Sequence, residues 1–488
     1  MEVFSQSVDI AALAPEIVLA VTACIVLVAD LFLPEEGKWI AMPLSAAGLF
    51  GTLAAIASLI GDDRGTFSIA GDPTFVVNDF ALLFKGLFCV IGLLVLALSF
   101  HYFKAGRYYQ GEYYFLMLSS LLGGLVMASS RDLISVFIAI ELISIPAFIM
   151  AGLRKGDAKS NEAALKFFLF GVLSSAVMLY GMSLVYGVTQ QTTLAGISRA
   201  LVGRGDDPII VLAVFFVLVG FAFKVSAVPF HFWAPDTYEG APSPVAAFLS
   251  TASKIGGFVG ILVLMFVAFP EVADTWRPLF AILAVLTMTV GNLVALRQTH
   301  IIRLLSYSGI AQSGYVLVAL ALIKPGAIES NHQALTSAIV YLCIYGLMDL
   351  GAFAAAVSFA RKGGSYFIND YDGLWRRSPM LAVMMAAFLI SLAGAPPMAG
   401  FWAKLFVFLA TIQAEVYWLA VVMGVNAVIA GFYYLSVVGR MFFGKPEVDE
   451  VVEVPVLLRV AMGAVALALF AVFIYPPLIT ELADRSLL

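Results

Sequence analysis

Charge is scarce in this 488-residue sequence: Asp, Glu, Lys and Arg make up 12% of it, roughly half the share of an ordinary soluble domain. With 62% of its residues hydrophobic, the chain cannot cover its own surface with polar groups. Cysteine is scarce too. Cys24, Cys89 and Cys343 fall inside apolar runs without metal-ligand spacing, which argues against a disulfide framework or a zinc site and leaves them as small core residues. Four histidines and no Gly-rich nucleotide fingerprint after a strand leave nothing to hold NAD, flavin, haem or an iron–sulfur cluster. If the chain serves redox chemistry, its partners carry the cofactors. Nucleic acid is not among the expected partners. Long polar stretches are missing as well, so a length suited to about three soluble domains describes one bundle in lipid instead. Met1 to Ala14 carry no basic segment and no small-residue cleavage pattern, so the first apolar run reads as a retained helix.

What is there is a series of apolar runs near twenty residues long. Read against Gly, Pro and charge clusters, they predict spans near 12–33, 40–60, 80–100, 113–128, 132–152, 163–187 and 209–228. Seven more follow near 244–268, 277–296, 301–323, 334–360, 380–410, 416–439 and 456–478. The expected fold is all-α, a polytopic bundle of about fourteen transmembrane helices, with its longest loops near 61–79 and 188–208. Alternating loops carry fourteen Lys and Arg on one side, Arg107, Arg361 and Lys362 among them, and seven on the other. The first side is therefore expected in the cytoplasm and both termini outside, in the periplasm of a bacterial inner membrane. Tyr102, Tyr108, Tyr109, Tyr113 and Tyr114 straddle one predicted boundary and read as an interface belt.

Six basic side chains, Lys85, Lys166, Lys224, Lys254, Lys404 and Arg459, fall within or at the ends of spans, with the acids Asp30, Glu112, Glu141 and Asp349. At bilayer depth each needs a partner, a wet cavity or an escape to the interface. Glu141 lies nine residues after Asp132, about 13 Å along a helix at ~1.5 Å per residue, where snorkelling cannot rescue a short carboxylate. A functional role competes there with a structural salt bridge. Lys254 sits ten residues into the eighth span with Ser250, Thr251 and Ser253 close by, a polar pocket suited to a proton carrier. Asp349, Lys85 and Lys166 fit helix pairing as well as transport. Asp30, Glu112 and Arg459 belong to the interface.

Lys224 and Lys404 stand beside helix breaks. Pro229, Pro235, Pro242 and Pro244 follow the first, while Pro396 and Pro397, between Gly394 and Gly400, precede the second. Broken helices at depth line cavities or pack inside protein, and their freed amides and carbonyls can hydrate an ion path. A simple kink is the plainer alternative for either break alone. Five helices separate the breaks, so the two segments run in opposite senses, as in an inverted repeat. Their symmetry is imperfect: Lys224 precedes its proline by five residues and Lys404 follows Pro397 by seven. The thirteenth span has no central lysine. His231 can relay protons near physiological pH or serve as a hydrogen-bonded structural residue.

The stretch FKVSAVPFHFWAPDTYEGAPSPVAAFLSTASK, preceded by RDLISVFIAIELISIPAF and followed by IIRLLSYSGIAQSGY and AGAPPMAGFWAK, resembles the antiporter-like proton-channel subunits of complex I, the NADH:quinone oxidoreductase. The resemblance spans essentially the whole chain. It is strongest to the branch with a lysine, here Lys404, in the twelfth span, and without a long lateral helix after the fourteenth. It implies a redox-coupled proton translocase in which Glu141 of the fifth span pairs with Lys224 of the seventh. Lys254 is then the central lysine and Lys404 the exit lysine, with His231 on the path between Lys224 and Lys254. It also implies three N-terminal helices in 1–112, a first five-helix repeat in 113–268, an inverted second repeat in 277–441 and a last helix and tail in 456–488. Expected partners are other membrane subunits, membrane lipid and a peripheral arm holding FMN and iron–sulfur clusters. The rival reading is a cation/proton antiporter of the same fold without redox coupling.

Overall fold

The computed structural model describes residues 8–106, 110–205, 207–324, 327–360, 365–446 and 451–487. Among the described residues it is helical almost throughout, with twelve helices long and apolar enough to cross a membrane, and two broken helices complete a set of fourteen spans. The first six are Ala14–Phe32, Ala41–Ala57, Asp79–Gly106, Gln110–Ser129, Leu133–Ala151 and Ala158–Thr189. The seventh is broken into Pro208–Lys224 and Trp233–Gly240, and the eighth runs through Ser243–Ala268. Ala273–Ala295, Ile301–Ala321 and Ile328–Ala360 follow; the twelfth is broken into Pro379–Ala393 and Gly400–Gln413, and Tyr417–Phe443 and Val456–Ile474 complete the set. The two broken crossings are five apart and so traverse the bundle in opposite senses. A separate short helix, Pro477–Arg485, follows the last crossing.

Local chemistry sets many of these limits. Asp132 begins the fifth span by accepting from the amides of Ile134 at 2.8 Å and Ser135 at 3.3 Å, and Asp157 and Asp207 cap the sixth and seventh in the same way. Pro15, Pro208 and Pro379 sit in first turns, where the missing N–H costs nothing. The eighth, tenth and eleventh spans are almost wholly inside the bundle, whereas the first, second, sixth, thirteenth and fourteenth turn an apolar face outward. Small residues bring helices to backbone contact: a Cβ on Gly291 would lie 2.7 Å from the Ala311 amide of the neighbouring tenth span.

The loop near 61–79, read from sequence as plain connection, contains a β-hairpin, Arg64–Ile69 paired antiparallel with Asp72–Val77. Isolated bridges Phe75↔Ser130 and Asp132↔Thr193 extend it, sewing the first three helices to the following spans. Arg199 clasps Asp72, and this guanidinium holds the Asp72 carboxyl below its ordinary range. Beneath the hairpin, Lys85 pairs with Glu16 at 2.7 Å and lies 5.1 Å from the Phe75 ring centroid. Glu16 was absent from the sequence inventory of span charges. Asp30 pairs with Lys38 at 3.5 Å, and Arg459 reaches the Val454 carbonyl at 3.0 Å, as span-end residues should.

The tyrosine belt is not what the sequence suggested. Tyr113 and Tyr114 are fully buried; the Tyr113 hydroxyl bonds Ser99 at 2.7 Å and its ring packs 4.2 Å from that of Phe103. Tyr114 packs beside Tyr113 with ring centroids 5.1 Å apart, so both rings face protein and not headgroups. Tyr108 and Tyr109 lie outside the described residues, as do Arg107, Arg361 and Lys362 of the basic loops.

Candidate functional site

Glu141 occupies mid-helix in the fifth span, half-buried, and its carboxylate accepts from Ser175 of the sixth. Ile134, Ile138, Ile145 and Ile149 are all exposed, and their spacing puts Glu141 on the same outward stripe. Lys224, the last residue of the first half of span seven, is fully buried and donates to Ser144 at 2.7 Å. Ser144 in turn donates to the Ile140 carbonyl at 2.6 Å. No ion pair joins Glu141 and Lys224. Ser144, which holds Lys224, stands one helical turn from Glu141 on the fifth span, so the lysine is within electrostatic reach of the carboxylate but separated from it by a hydroxyl.

The break that follows is stitched rather than open. The Val228 amide donates to Thr287 of the ninth span at 3.0 Å, the Val225 carbonyl accepts from Ser313 of the tenth at 2.9 Å, and the Trp233 indole donates to the Phe223 carbonyl at 3.0 Å. These groups of the broken backbone are held by side chains. His231 lies in the break, buried, its ring 4.6 Å from that of Phe232, with Nδ1 unpartnered. Beyond it, Asp236 accepts from Lys166 at 2.7 Å and Arg303 at 3.0 Å, and Arg303 also meets Glu239 at 2.8 Å. Lys166, ambiguous in sequence, thus belongs to an ionic cluster that ties span six to spans seven and ten.

Lys254 stands at the centre of the bundle, 1% exposed. It follows a π-helical turn, Leu249–Ser253, in which Ser250 and Thr251 donate back to the Ala247 carbonyl at 3.1 and 2.7 Å. Such back-bonding competes with the helical ladder, and π-turns of this kind often mark functional sites. Those two hydroxyls bond backbone and not Lys254, and that of Ser250 also stands against the Asp349 carboxylate. The Lys254 ammonium has no hydrogen-bond partner; it faces Tyr345, 5.9 Å from the ring centroid, and Gly309 of the tenth span. A Cβ on Gly309 would come within 3.1 Å of Nζ and 3.0 Å of the Tyr345 hydroxyl, so the glycine leaves the space both groups occupy. Asp349, also fully buried, is within electrostatic reach.

Lys404 donates to the carbonyls of Leu392 at 3.0 Å and Ala393 at 2.8 Å, which the break at Gly394 leaves without helical partners. Its ammonium lies 5.0 Å from the Tyr315 ring centroid. The Leu392 carbonyl also accepts from Gln312 at 2.9 Å. Gln312 accepts from the Tyr341 hydroxyl and donates to the Tyr434 hydroxyl at 3.3 Å, and Tyr434 bonds Ser308. Ser308 adjoins Gly309, against which Lys254 rests. A hydrogen-bonded line thus runs Ser308, Tyr434, Gln312, Leu392 carbonyl, Lys404, and its Ser308 end is the chain neighbour of the glycine beside Lys254. Sequence reasoning missed its middle. The available signal was Ser308 and Gln312 four residues apart in the tenth span, one face of a helix buried on all sides.

The family described as NADH:quinone oxidoreductase/Mrp antiporter, TM, matches residues 130–430. NADH-quinone oxidoreductase subunit N of Moorella thermoacetica is 41% identical over 96% of this chain and 97% of its own length. Its namesake from Trichlorobacter lovleyi is 38% identical over 99% and 97%. A chain of respiratory complex I from Thermus thermophilus with bound aureothin superposes with a TM-score of 0.80 at 31% identity, covering 96% of this chain and 99% of that one. A chain of the Mrp complex from Dietzia sp. DQ12-45-1b, at 20% identity and a TM-score of 0.85 over 98% of this chain and 96% of that one, shares the fold.

Proposed function

The chain belongs to the NADH:quinone oxidoreductase/Mrp antiporter transmembrane family, and from that membership we propose that it is the N-type proton-translocating membrane subunit of an NADH:quinone oxidoreductase. The antiporter alternative is not favoured, because relatives matching nearly end to end at 38–41% identity carry the oxidoreductase subunit name, whereas the Mrp likeness is at 20%. Its place is a bacterial inner membrane, with the basic loops in the cytoplasm and both termini outside. Flavin and iron–sulfur chemistry belong to partner subunits, and this chain moves protons only. Spans four to eight and nine to thirteen act as inverted repeats, one half-path opening to each side.

The observation that carries the reading is the polar line from Ser308, beside the Lys254 site, to Lys404. A proton on Lys254 passes by way of Ser308 and Tyr434 toward the carbonyl end where Lys404 is held, with Gln312 fixing the hydroxyls. Glu141 and Lys224, coupled through the Ser144 turn, bias that step. Quinone chemistry elsewhere shifts Glu141 and changes the electrostatic balance at Lys224 and Lys254, while His231 lies toward the cytoplasmic cluster that supplies protons. A half-exposed carboxylate on an apolar stripe needs cover at bilayer depth, so another membrane subunit packs against the fifth span at Glu141. The test is Lys254→Ala in the assembled complex reconstituted in vesicles. Normal subunit content with quinone-linked proton uptake greatly reduced is expected; unchanged uptake would overturn the reading.

A further inference from the structure

One buried carboxylate takes no part in that line. Asp349 lies in the eleventh span, 0% exposed; it accepts a long 3.5 Å bond at Oδ2 from Tyr345, one turn earlier, and the Ser250 hydroxyl also stands against its carboxylate, while Oδ1 has no partner. The Lys254 ammonium is equally unpartnered. A carboxylate held only by hydroxyls and an ammonium without any hydrogen bond are each costly alone in a buried setting, which makes their common setting informative. Between them stands one phenol. The Tyr345 hydroxyl touches Asp349, donates to the Ser250 carbonyl at 2.9 Å, and shares the space over Gly309 with Lys254 Nζ. No ion pair within 4.0 Å closes the gap between acid and base, although each feels the other's charge. The other titratable groups that face Asp349 are the phenols of Tyr238 from the second half of span seven and Tyr434 from span thirteen. Lys254 is the cation it meets.

We propose that Asp349 is the proton-accepting counter-charge of Lys254, with the Tyr345 hydroxyl as the relay between them. In the resting pair Asp349 is a carboxylate and Lys254 an ammonium. A proton arriving from the cytoplasmic half-path binds Asp349, which cancels the negative charge facing Lys254. The ammonium then releases its own proton toward Ser308 and Tyr434. The pair resets when the Asp349 acid donates its proton to the Tyr345 oxygen as the Tyr345 O–H proton passes to the Lys254 nitrogen. One proton has entered and one has left, and the pair never carries net charge after the exchange. Charge neutrality makes the exchange tolerable in so buried a place.

This inference rests on the proton-translocating reading, so its test carries Lys254→Ala as the control for that reading. In the complete complex in sealed vesicles, Asp349→Asn keeps the side-chain volume and the contact with Tyr345 but cannot take a proton. The expected result is normal subunit content, quinone-linked proton uptake lowered about tenfold or more, a flattened pH profile of the remaining uptake, and partial recovery in Asp349→Glu. Wild-type uptake in Asp349→Asn, or loss with an unchanged pH profile, overturns the proposal. If Asp349→Asn fails to assemble, Tyr345→Phe decides, because it removes the relay oxygen and keeps the ring; uptake slowed several-fold supports the relay and unchanged uptake rejects it. Lost uptake in Lys254→Ala with full uptake in Asp349→Asn rejects this proposal alone, whereas full uptake in Lys254→Ala rejects the reading beneath it.

Discussion

Tyr434→Phe removes a single oxygen from the line between the two lysines, and its consequences can be worked out from the contacts. The hydroxyl bonds Ser308 and accepts from Gln312 at 3.3 Å. Each such bond contributes roughly 1 kcal/mol net, so its loss costs about 2 kcal/mol of stability. Packing is preserved, since the ring stays 4.4 Å from that of Tyr433 and Gln312 keeps the Leu392 carbonyl and Tyr341. The subunit should therefore assemble. The gap left by one hydroxyl is smaller than the ~10–15 Å³ a replacement water needs, so the line stays cut. Ser308 and Gln312 each then lose the partner on the line that Tyr434 supplied, at about 1–3 kcal/mol. If that penalty falls on the transfer step, at ~1.4 kcal/mol per decade it slows proton movement roughly 5- to 150-fold. The assay is the initial rate of quinone-linked acidification of inverted vesicles, normalised to assembled complex. A variant that assembles normally and acidifies at the wild-type rate would refute the proposed route through Tyr434.

Lys254→Arg should fail as Lys254→Ala does, because a guanidinium does not release its proton in the working pH range; wild-type uptake in the Arg variant would exclude Lys254 as an obligatory carrier. Glu141→Ala should cost most of the pumping, and Glu141→Asp should retain a substantial part. The Glu141→Ala, Lys224→Ala double variant should assemble yet pump poorly, and full pumping there would mean that the pair is only structural. Phe367→Cys, in a loop assigned to the cytoplasm and exposed, should react in intact cells with a permeant thiol reagent and not with an impermeant one; labelling by the impermeant reagent would reverse the topology.

The crossings were legible because a membrane span is written in one continuous run, and the breaks because proline removes a ladder hydrogen bond wherever it falls. Lys224, Lys254 and Lys404 were legible for a related reason: a charge within an apolar run is conspicuous without any knowledge of its surroundings. Partners were not. Glu16 sits beside Pro15 at the start of a run and looks like an end residue until the hairpin and third span close over it. Asp349 could not be told from a pairing residue because its neighbours, Lys254 and Tyr238, come from distant parts of the chain. Tyr434 lies on the thirteenth span, which drew notice only for having no central lysine, and its hydroxyl meets Ser308 only once the helices pack. Ser250 and Thr251, near Lys254 in sequence, turn their hydroxyls to their own backbone and, for Ser250, to Asp349, not to the lysine.

The asymmetry between the two breaks resolves in space. Lys224 comes before its prolines in the chain and Lys404 after, so along the sequence the two lysines do not correspond. In the fold both stand at the carbonyl end of the first half of a broken span. Lys224 is the terminal residue of Pro208–Lys224, and Lys404 folds back from the second half to bond Leu392 and Ala393, the last residues of Pro379–Ala393. The C-terminus of a helix carries unpaired carbonyls and partial negative charge, a setting that suits a cation arriving and leaving. What the two halves of the protein share is the electrostatic position and not the sequence offset. The difference between them is who holds the ammonium. Ser144 of the fifth span, one turn from Glu141, holds Lys224, so its environment answers to that carboxylate; backbone carbonyls hold Lys404, and no titratable side chain can withdraw them. A switch needs a changeable partner and a terminus needs a fixed one. On that ground Lys224 is suited to receive the driving signal and Lys404 to take the proton at the end of the line.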